Sequence, residues 1–202
     1  MNKGTLFIIS APSGTGKGTI VSQLLASDPS IHFSVSATTR APREGETDGV
    51  NYYFITRDEF KNLIETGGML EYAEFCGNFY GTPKQPVYDK LNEGHDVILE
   101  IETVGAAKVK AACPEAVGIF ILPPSIAELR HRLETRATDS AEVIAKRVAE
   151  AKAEIEKSYN YDYVVVNDDL DTAIAEVKAV MTAAKKMTKL NHETIEGVLK
   201  KC

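Results

Sequence analysis

Residues 10–19 read S-A-P-S-G-T-G-K-G-T and follow directly on the apolar run Leu6, Phe7, Ile8 and Ile9. A short continuous apolar run marks a strand buried on both faces, and Ile20, Val21, Leu24 and Leu25 then recur at helical spacing. Strand, glycine loop and helix are the context in which such a loop holds phosphate. Gly14, Gly16 and Gly18 let the backbone turn its N–H groups toward one point, where the helix N-terminus adds its positive dipole end. Ala11, Pro12, Ser13, Gly14, Thr15, Gly16, Lys17, Gly18 and Thr19 therefore form a candidate nucleotide cradle. Lys17 would reach the outer phosphates as a point charge, and the Thr19 hydroxyl would meet Mg²⁺ or its waters. The chain departs from the general pattern G-x-x-x-x-G-K-[ST], since Ala11 stands at the first glycine and Gly18 displaces the hydroxyl residue by one. A plain strand-to-helix turn with an exposed lysine would use the same residues, but the flanking strand and helix favour the phosphate loop.

The 202-residue chain is 44% apolar and 26% charged, as in an ordinary globular protein, and is long enough for one core with insertions. A formal net charge of −6 argues against general nucleic-acid binding, which draws on clustered Lys and Arg. The N-terminus enters a strand without a basic leader, and no stretch approaches the roughly 18 consecutive apolar residues of a membrane span. A cytoplasmic protein with neither nucleic acid nor membrane as partner is expected. Cys76, Cys113 and Cys202 are widely spaced and outside any C-x-x-C pair, so they suggest neither a disulfide framework nor a zinc site. His32, His95, His131 and His192 lack ligand spacing and are assigned no chemistry.

Asp28-Pro29 stops the first helix, and Phe33 to Val35 alternates like a short strand. The stretch from Ser36 to Arg43 then places Arg40 and Arg43 around Pro42, ahead of the turn-rich E-G-E-T-D-G and the pair Tyr52-Tyr53. Arginine forks match phosphate oxygens bidentately and tyrosine hydroxyls add donors, so Arg40, Arg43 and Tyr52 could hold a second phosphate; the alternative is a solvated basic loop. Thr56 and Glu59 predict a capping box for a helix carrying Phe60, Leu63 and Ile64, ended by Gly67-Gly68. A strand over Met69 to Phe75 and a Gly77-Asn78 turn into Phe79-Tyr80 complete a small mixed excursion from the main sheet. Within it Glu71, between Leu70 and Tyr72, is oddly placed unless it faces solvent or a partner.

Pro83 opens a helix with Val87 and Leu91, and Val97 to Leu99 form another buried strand. Glu100 and Glu102 at its end are read as lying on one face, where they could meet Mg²⁺ or substrate or simply point to solvent. A strand over Val117 to Leu122 leads to a Ser125/Glu128 capping box and a helix bearing Arg130, Arg132 and Arg136; an Asp139/Glu142 cap starts a helix with Arg147. Such a flap could close over a triphosphate, excluding water and offsetting charge, or it could be a charged helix face. Tyr163 to Val166 give the last strand, Asn167-Asp168-Asp169 its exit and cap, and Ala173 to Met187 an amphipathic helix before a peripheral tail.

From Gly4 to the helix after Asp171 these pieces resemble the guanylate kinase family. The likeness is carried by S-x-P-S-G-x-G-K-G-T, S-V-S-A-T-T-R-A-P-R-x-G-E, Y-x-F near Tyr52, G-N-F-Y-G-T, F-I-L-P-P-S and V-N-D-D-L-D. The resemblance implies an α/β fold: a P-loop core with a mostly parallel sheet (residues 1–35, 83–125 and 148–202), an inserted GMP-binding subdomain (36–82) and a helical lid (126–147). It implies an enzyme that transfers the γ-phosphoryl group of ATP to GMP, and to dGMP, with Mg²⁺, in purine nucleotide metabolism. On this likeness Arg40, Arg43, Tyr52 and Tyr80 hold the GMP phosphate, while Ser36, Glu71, Thr82 and Glu102 line the guanine pocket. Lys17, Arg132, Arg136 and Arg147 embrace the ATP phosphates, with Arg40 counted beside them in catalysis; Asn167 lies near adenine, and Thr19 and Glu100 meet the metal through water.

Guanine presents N1–H and N2–H₂, so the Glu71 carboxylate can accept from both, whereas the unprotonated N1 of adenine would face repulsion. Ser36 and Thr82 can donate to O6. An unpaired buried acceptor costs roughly 1–3 kcal/mol, which favours GMP over AMP by about ten- to a hundredfold. The chain departs from the family's pattern at Glu100-Ile101-Glu102, where Asp-Ile-Asp is frequent, at Val104, where Gln is usual, and at Thr135 and Ala137, where glycines usually flank the lid arginine. An idle guanylate-kinase-like scaffold would be expected to have lost phosphate ligands, which are all present here. Another nucleoside monophosphate kinase would differ at Glu71, and a GTPase would need an N-K-x-D text that is absent.

Overall fold

The computed structural model describes residues 3–135 and 140–200. The opening apolar run is strand β1 (Leu6–Ser10), and helix α1 (Lys17–Ser27) follows the glycine loop. After β2 (Ile31–Phe33) the chain makes an excursion through β3 (Ala37–Thr38), β4 (Tyr53–Phe54), α2 (Arg57–Glu65), β5 (Met69–Phe75) and β6 (Asn78–Pro83). It returns by α3 (Lys84–Asn92) to β7 (Asp96–Glu100), α4 (Thr103–Ala112), β8 (Val117–Leu122) and α5 (Ile126–Thr135). Helix α6 (Ala141–Glu156), β9 (Tyr163–Val166), α7 (Leu170–Ala184) and α8 (His192–Leu199) complete the described chain.

The large sheet has the order β2-β7-β1-β8-β9 and every pairing in it is parallel. Parallel strands need cover on both faces, and β1 supplies both from alternate residues. Phe7 and Ile9 join Ile20 and Leu24 of α1 and Val177 of α7, whereas Leu6 and Ile8 join Val87 and Leu91 of α3 and Val109 of α4. Burying each such side chain stabilises the fold by roughly 1.5–3 kcal/mol. Because α1 leaves β1 over one face and α4 leaves β7 over the other, the carboxyl ends of these neighbours flank a switch-point crevice.

The excursion forms a separate sheet, β4-β3-β6-β5, on which Phe60 of α2 packs with its ring stacked 5.3 Å from Phe79. The Thr56/Glu59 capping box is present as expected. The hairpin turn is one residue earlier than predicted: Cys76 (φ 48) and Gly77 (φ 75) make it, and Asn78 already starts β6. Two consecutive positive φ values give a turn whose twist matches the strands. Similarly the short strand expected at Phe33–Val35 lies at Ile31–Phe33, where it pairs with β7 from Asp96 onward.

Helices α5 and α6 share a small core of Leu129, Leu133, Ile144, Val148 and Ala151. The cap of α6 is Ser140, whose hydroxyl accepts from Val143 N at 3.4 Å; the expected Asp139, like Arg136 and Ala137, lies outside the described residues. A serine next to an aspartate offers the same acceptor chemistry, so sequence alone left the start of the helix one residue loose. The predicted last helix is α7, which ends at Ala184 rather than Met187. Beyond it Leu190 packs against the α1/α7 core, while α8 buries no residue.

Candidate active site

The glycine loop turns on two residues. Gly14 (φ 91) and Gly16 (φ 94) occupy the left-handed region, which costs a residue with a Cβ roughly 1–2 kcal/mol. A Cβ would also fall 2.8 Å from Leu133 Cδ2 at Gly14 and 2.6 Å from Asn167 Nδ2 at Gly16. Gly18, expected to share in the turn, is already inside α1 without a positive φ, and a Cβ there meets only Glu100 Oε1 at 3.7 Å. The loop is braced from within by Thr15, whose hydroxyl donates to Pro12 O at 2.7 Å, and from outside by Asn167, whose Nδ2 donates to Thr15 O at 2.7 Å. Asn167 is buried and thereby holds the cradle as well as lining it.

Lys17 Nζ stands 3.8 Å from Glu100 Oε1 at the carboxyl ends of β1 and β7. Burial lowers the pKa of its ammonium from the ordinary value, against the opposing pull of Glu100, Glu102 and Glu154. Glu154 was missed by sequence reasoning; its signal is position, seven residues after Arg147 on the same helix. Burial, and then Glu102, push the Glu154 carboxyl up. Glu100 and Glu102 do not continue one strand face, because β7 ends at Glu100 and the exposed Glu102 stands at the N-terminus of α4. Glu102 nonetheless lies within electrostatic reach of both Lys17 and Glu71.

Arg132 donates from Nε to Glu128 Oε1 at 2.8 Å and from Nη1 to Asn167 O at 2.9 Å, which ties α5 to the exit of β9. Glu128 is thus drawn to Arg132, and of the expected capping box only Glu128 N donating to Ser125 Oγ, at 3.0 Å, is made. Arg147 reaches the loop, its Nη1 lying 3.5 Å from Ser13 Oγ. A cleft of about 480 Å³ opens beside Gly14, Thr19, Arg132 and Asn167. His131 and Asp168, which the sequence reading left without a role, line it too.

On the facing side, Arg40 makes a fork-to-fork pair with Glu46 and lies over Tyr52, 5.6 Å from its ring centroid. The Tyr52 and Tyr80 rings meet edge to face at 6.1 Å, and Arg43 is exposed on the same loop. Ser36 is half-buried immediately before β3. Glu71 is also half-buried, and its Oε1 accepts from the Thr82 hydroxyl at 2.7 Å. Thr82 therefore commits its proton to the carboxylate in this structure and is not the free donor expected for O6. Burial pushes the Glu71 carboxyl up, with the Thr82 bond and Lys108 opposing. A Cβ at Gly105 of α4 would sit 2.9 Å from Glu71 Oε2, so this glycine leaves room for the carboxylate.

The glycine loop and the Glu71 carboxylate are linked by Glu102, whose charge acts on both Lys17 and Glu71. A sequence model of guanylate kinase matches residues 3–184. The chain belongs to the guanylate kinase family. It is 50% identical over 198 residues to the guanylate kinase of Halalkalibacterium halodurans, covering 96% of this chain and 97% of that one. It is likewise 50% identical to that of Synechococcus sp. (strain JA-3-3Ab) over 179 residues, 89% of this chain and 82% of the relative. The crystal structure of guanylate kinase from Anaplasma phagocytophilum superposes with a TM-score of 0.72 at 37% identity, covering 93% of this chain and 89% of that one. The likeness read from the motifs and the α/β fold with its mostly parallel sheet are both borne out. In this guanylate kinase family member Val104 is exposed in the first turn of α4, and Thr135 is the last residue of α5. Among the described residues no helix is long and apolar enough to cross a membrane.

Proposed function

We propose that this chain transfers the γ-phosphoryl group of ATP to GMP, giving ADP and GDP, with the glycine loop as donor cradle and the β3–β6 face as acceptor site. The observation that carries the acceptor assignment is Glu71: a half-buried carboxylate, steadied by Thr82, with room left for it by Gly105. Its two oxygens match the adjacent N1–H and N2–H₂ donors of guanine, and with Thr82 committed to the carboxylate Ser36 is the candidate donor to O6. Arg40, Arg43, Tyr52 and Tyr80 take the GMP phosphate, and Glu102 stands between the two sites. Lys17, Arg132, Arg136 and Arg147 neutralise the ATP phosphates, while Asn167 shapes the adenine side through the cradle it braces.

Phosphoryl transfer asks the protein for alignment and charge compensation more than for covalent chemistry. Holding two polyanions end to end is opposed by their repulsion, so the cations of both half-sites lower the barrier by meeting charge that spreads over the transferring group. The helices over residues 126–147 act as a lid that excludes water and limits hydrolysis of ATP. The exposed Thr19 hydroxyl and the partly exposed Glu100 carboxylate are hard oxygen donors that suit Mg²⁺ held mainly through its own waters. When bound there, Mg²⁺ would supply charge neutralisation between the nucleotides. Residues 1–35, 83–125 and 148–202 serve as the core and 36–82 as the acceptor subdomain.

A coupled assay of ADP release with GMP, dGMP, AMP, CMP and UMP tests this reading. Activity with GMP at least about tenfold above AMP in kcat/KM is expected; silence with GMP refutes it.

A further inference from the structure

Glu46 lies in the loop that carries both acceptor-side arginines. A guanidinium has five N–H donors in one plane. In Arg40 three are engaged within the protein: Nη1 donates to Glu46 Oε2 at 2.9 Å and to Ala41 O at 2.7 Å, and Nη2 donates to Glu46 Oε1 at 2.8 Å. The end of the fork is closed. The Nε–H and the second Nη2–H are a side-on pair of parallel donors of the kind that matches two phosphate oxygens, and the Tyr80 hydroxyl also acts on this guanidinium.

The same carboxylate also takes the backbone N–H of Arg43 at 2.7 Å, while Glu46 N donates back to Arg43 O at 3.1 Å around Gly45 (φ 83). One acid thereby fixes the side chain of one arginine and the backbone of the other. The pair is sheltered, with side chains 15% and 19% exposed, unlike the looser Lys146–Glu150 pair at 78% and 60%. The rings of Tyr52 and Phe54 lie 5.6 and 5.7 Å from the guanidinium, so its plane is held from the side as well. The Arg40 guanidinium and the Arg43 N–H hold the Glu46 carboxyl below the usual carboxylate range, so it is charged across the working pH.

We propose that Glu46 is a positioning residue for acceptor-phosphate recognition: by closing the end of the Arg40 fork and anchoring Arg43, it presents the side-on fork of Arg40 to the phosphate of GMP. The proposal rests on the reading of Arg40 as a phosphate ligand. Its value is pre-organisation, since a long side chain already ordered loses less freedom on binding. A carboxylate near a phosphate would by itself repel the ligand, so the two effects predict opposite signs when the acid is altered.

The test compares wild type, Glu46→Gln, Glu46→Asp, Arg40→Met and the Glu46→Gln/Arg40→Met double variant. Binding of GMP and of guanosine, which lacks the phosphate, is measured by calorimetry, alongside steady-state kinetics and thermal melting. Glu46→Gln should weaken GMP about tenfold, the scale of one charge-assisted hydrogen bond, leave guanosine within about twofold, and raise KM for GMP but not for ATP. Glu46→Asp keeps the charge on a shorter arm and should lose about three- to tenfold by the same geometry. In the Arg40→Met background, Glu46→Gln should add less than about threefold, because the fork it orients is gone. Tighter or unchanged GMP binding in Glu46→Gln, or an equal loss for guanosine, overturns the proposal while leaving the Arg40 assignment standing if Arg40→Met weakens GMP. Unaltered GMP binding in Arg40→Met overturns both.

Discussion

Replacing Glu71 by Gln keeps the shape of the side chain and its bond from Thr82 but removes one acceptor and the charge. On the proposed reading the carboxylate accepts from two guanine donors; its Oε1 also accepts from Thr82 at 2.7 Å. In the variant the amide oxygen can still serve Thr82, while the amide NH₂ is turned toward the donors of guanine. A lost charge-assisted bond is worth about 1.5–3 kcal/mol, and a buried donor left facing a donor adds about 1–3 kcal/mol. Against this, burial already raises the Glu71 carboxyl, so some of the cost of holding the charge there is relieved. The net loss of transition-state stabilisation should be about 2–4 kcal/mol, or about 30- to 1000-fold in kcat/KM for GMP. The coupled assay, run with GMP varied at saturating ATP and then the reverse, separates the sites: KM for ATP should move less than about threefold, because the charges acting directly on Lys17 are those of Glu100, Glu102 and Glu154. An unaltered kcat/KM for GMP, or an equal loss on the ATP axis, would refute the assignment of Glu71 to the guanine edge.

The same carboxyl sets an acid limb. If Glu71 receives guanine as the anion, its raised pKa means that kcat/KM for GMP should fall on acidification with a midpoint above 4.5, a limb that Glu71→Gln should abolish. Stability runs the other way: the raised carboxyl contributes stability below its unfolded pKa that is lost as pH rises through the folded one, so the Gln variant should be at least as stable as wild type at neutral pH in urea titrations. On the alkaline side Lys17 acts as the cation and burial lowers its pKa, so kcat/KM for ATP should decline with a midpoint below 10.5. Gly105→Ala places a methyl 2.9 Å from Glu71 Oε2 and should raise KM for GMP about tenfold with the ATP constants unchanged; equal effects on both substrates would argue against a local push on the carboxylate. Gly16→Ala meets both a φ of 94 and a contact of 2.6 Å with Asn167 Nδ2, and the strain plus the lost Asn167–Thr15 bond should cost about 2–3 kcal/mol in urea denaturation. A loss under about 0.5 kcal/mol would show that the loop has another conformation open to it.

Leu6 to Ile9, the glycine loop and Ile20 to Leu25 were legible because hydrophobic pattern, turn chemistry and helix periodicity all point the same way. The Thr56/Glu59 cap and the long strands were readable for the same reason, since each signal is local. Partnerships across distance were not. Asn167 braces Thr15 from 152 residues away, and no spacing rule connects them. Glu46 closes a motif that marks its position without giving it a task, and only the structure shows that it grips a guanidinium six residues earlier. Glu128 had two eligible partners, Ser125 and Arg132, and the packing of α5 decided between them. Where neighbouring residues share a chemistry, as Asp139 and Ser140 do, the text fixes the presence of a cap but not its address.

Glu102 feels the ammonium of Lys17 on one side and the carboxyl of Glu71 on the other. One exposed carboxylate thus contributes charge to both flanks, so binding on the two sides can be compared singly and together. On the proposed reading thermodynamic linkage sets a symmetry: whatever factor a triphosphate applies to the grip on the purine monophosphate, the monophosphate returns to the triphosphate in equal measure.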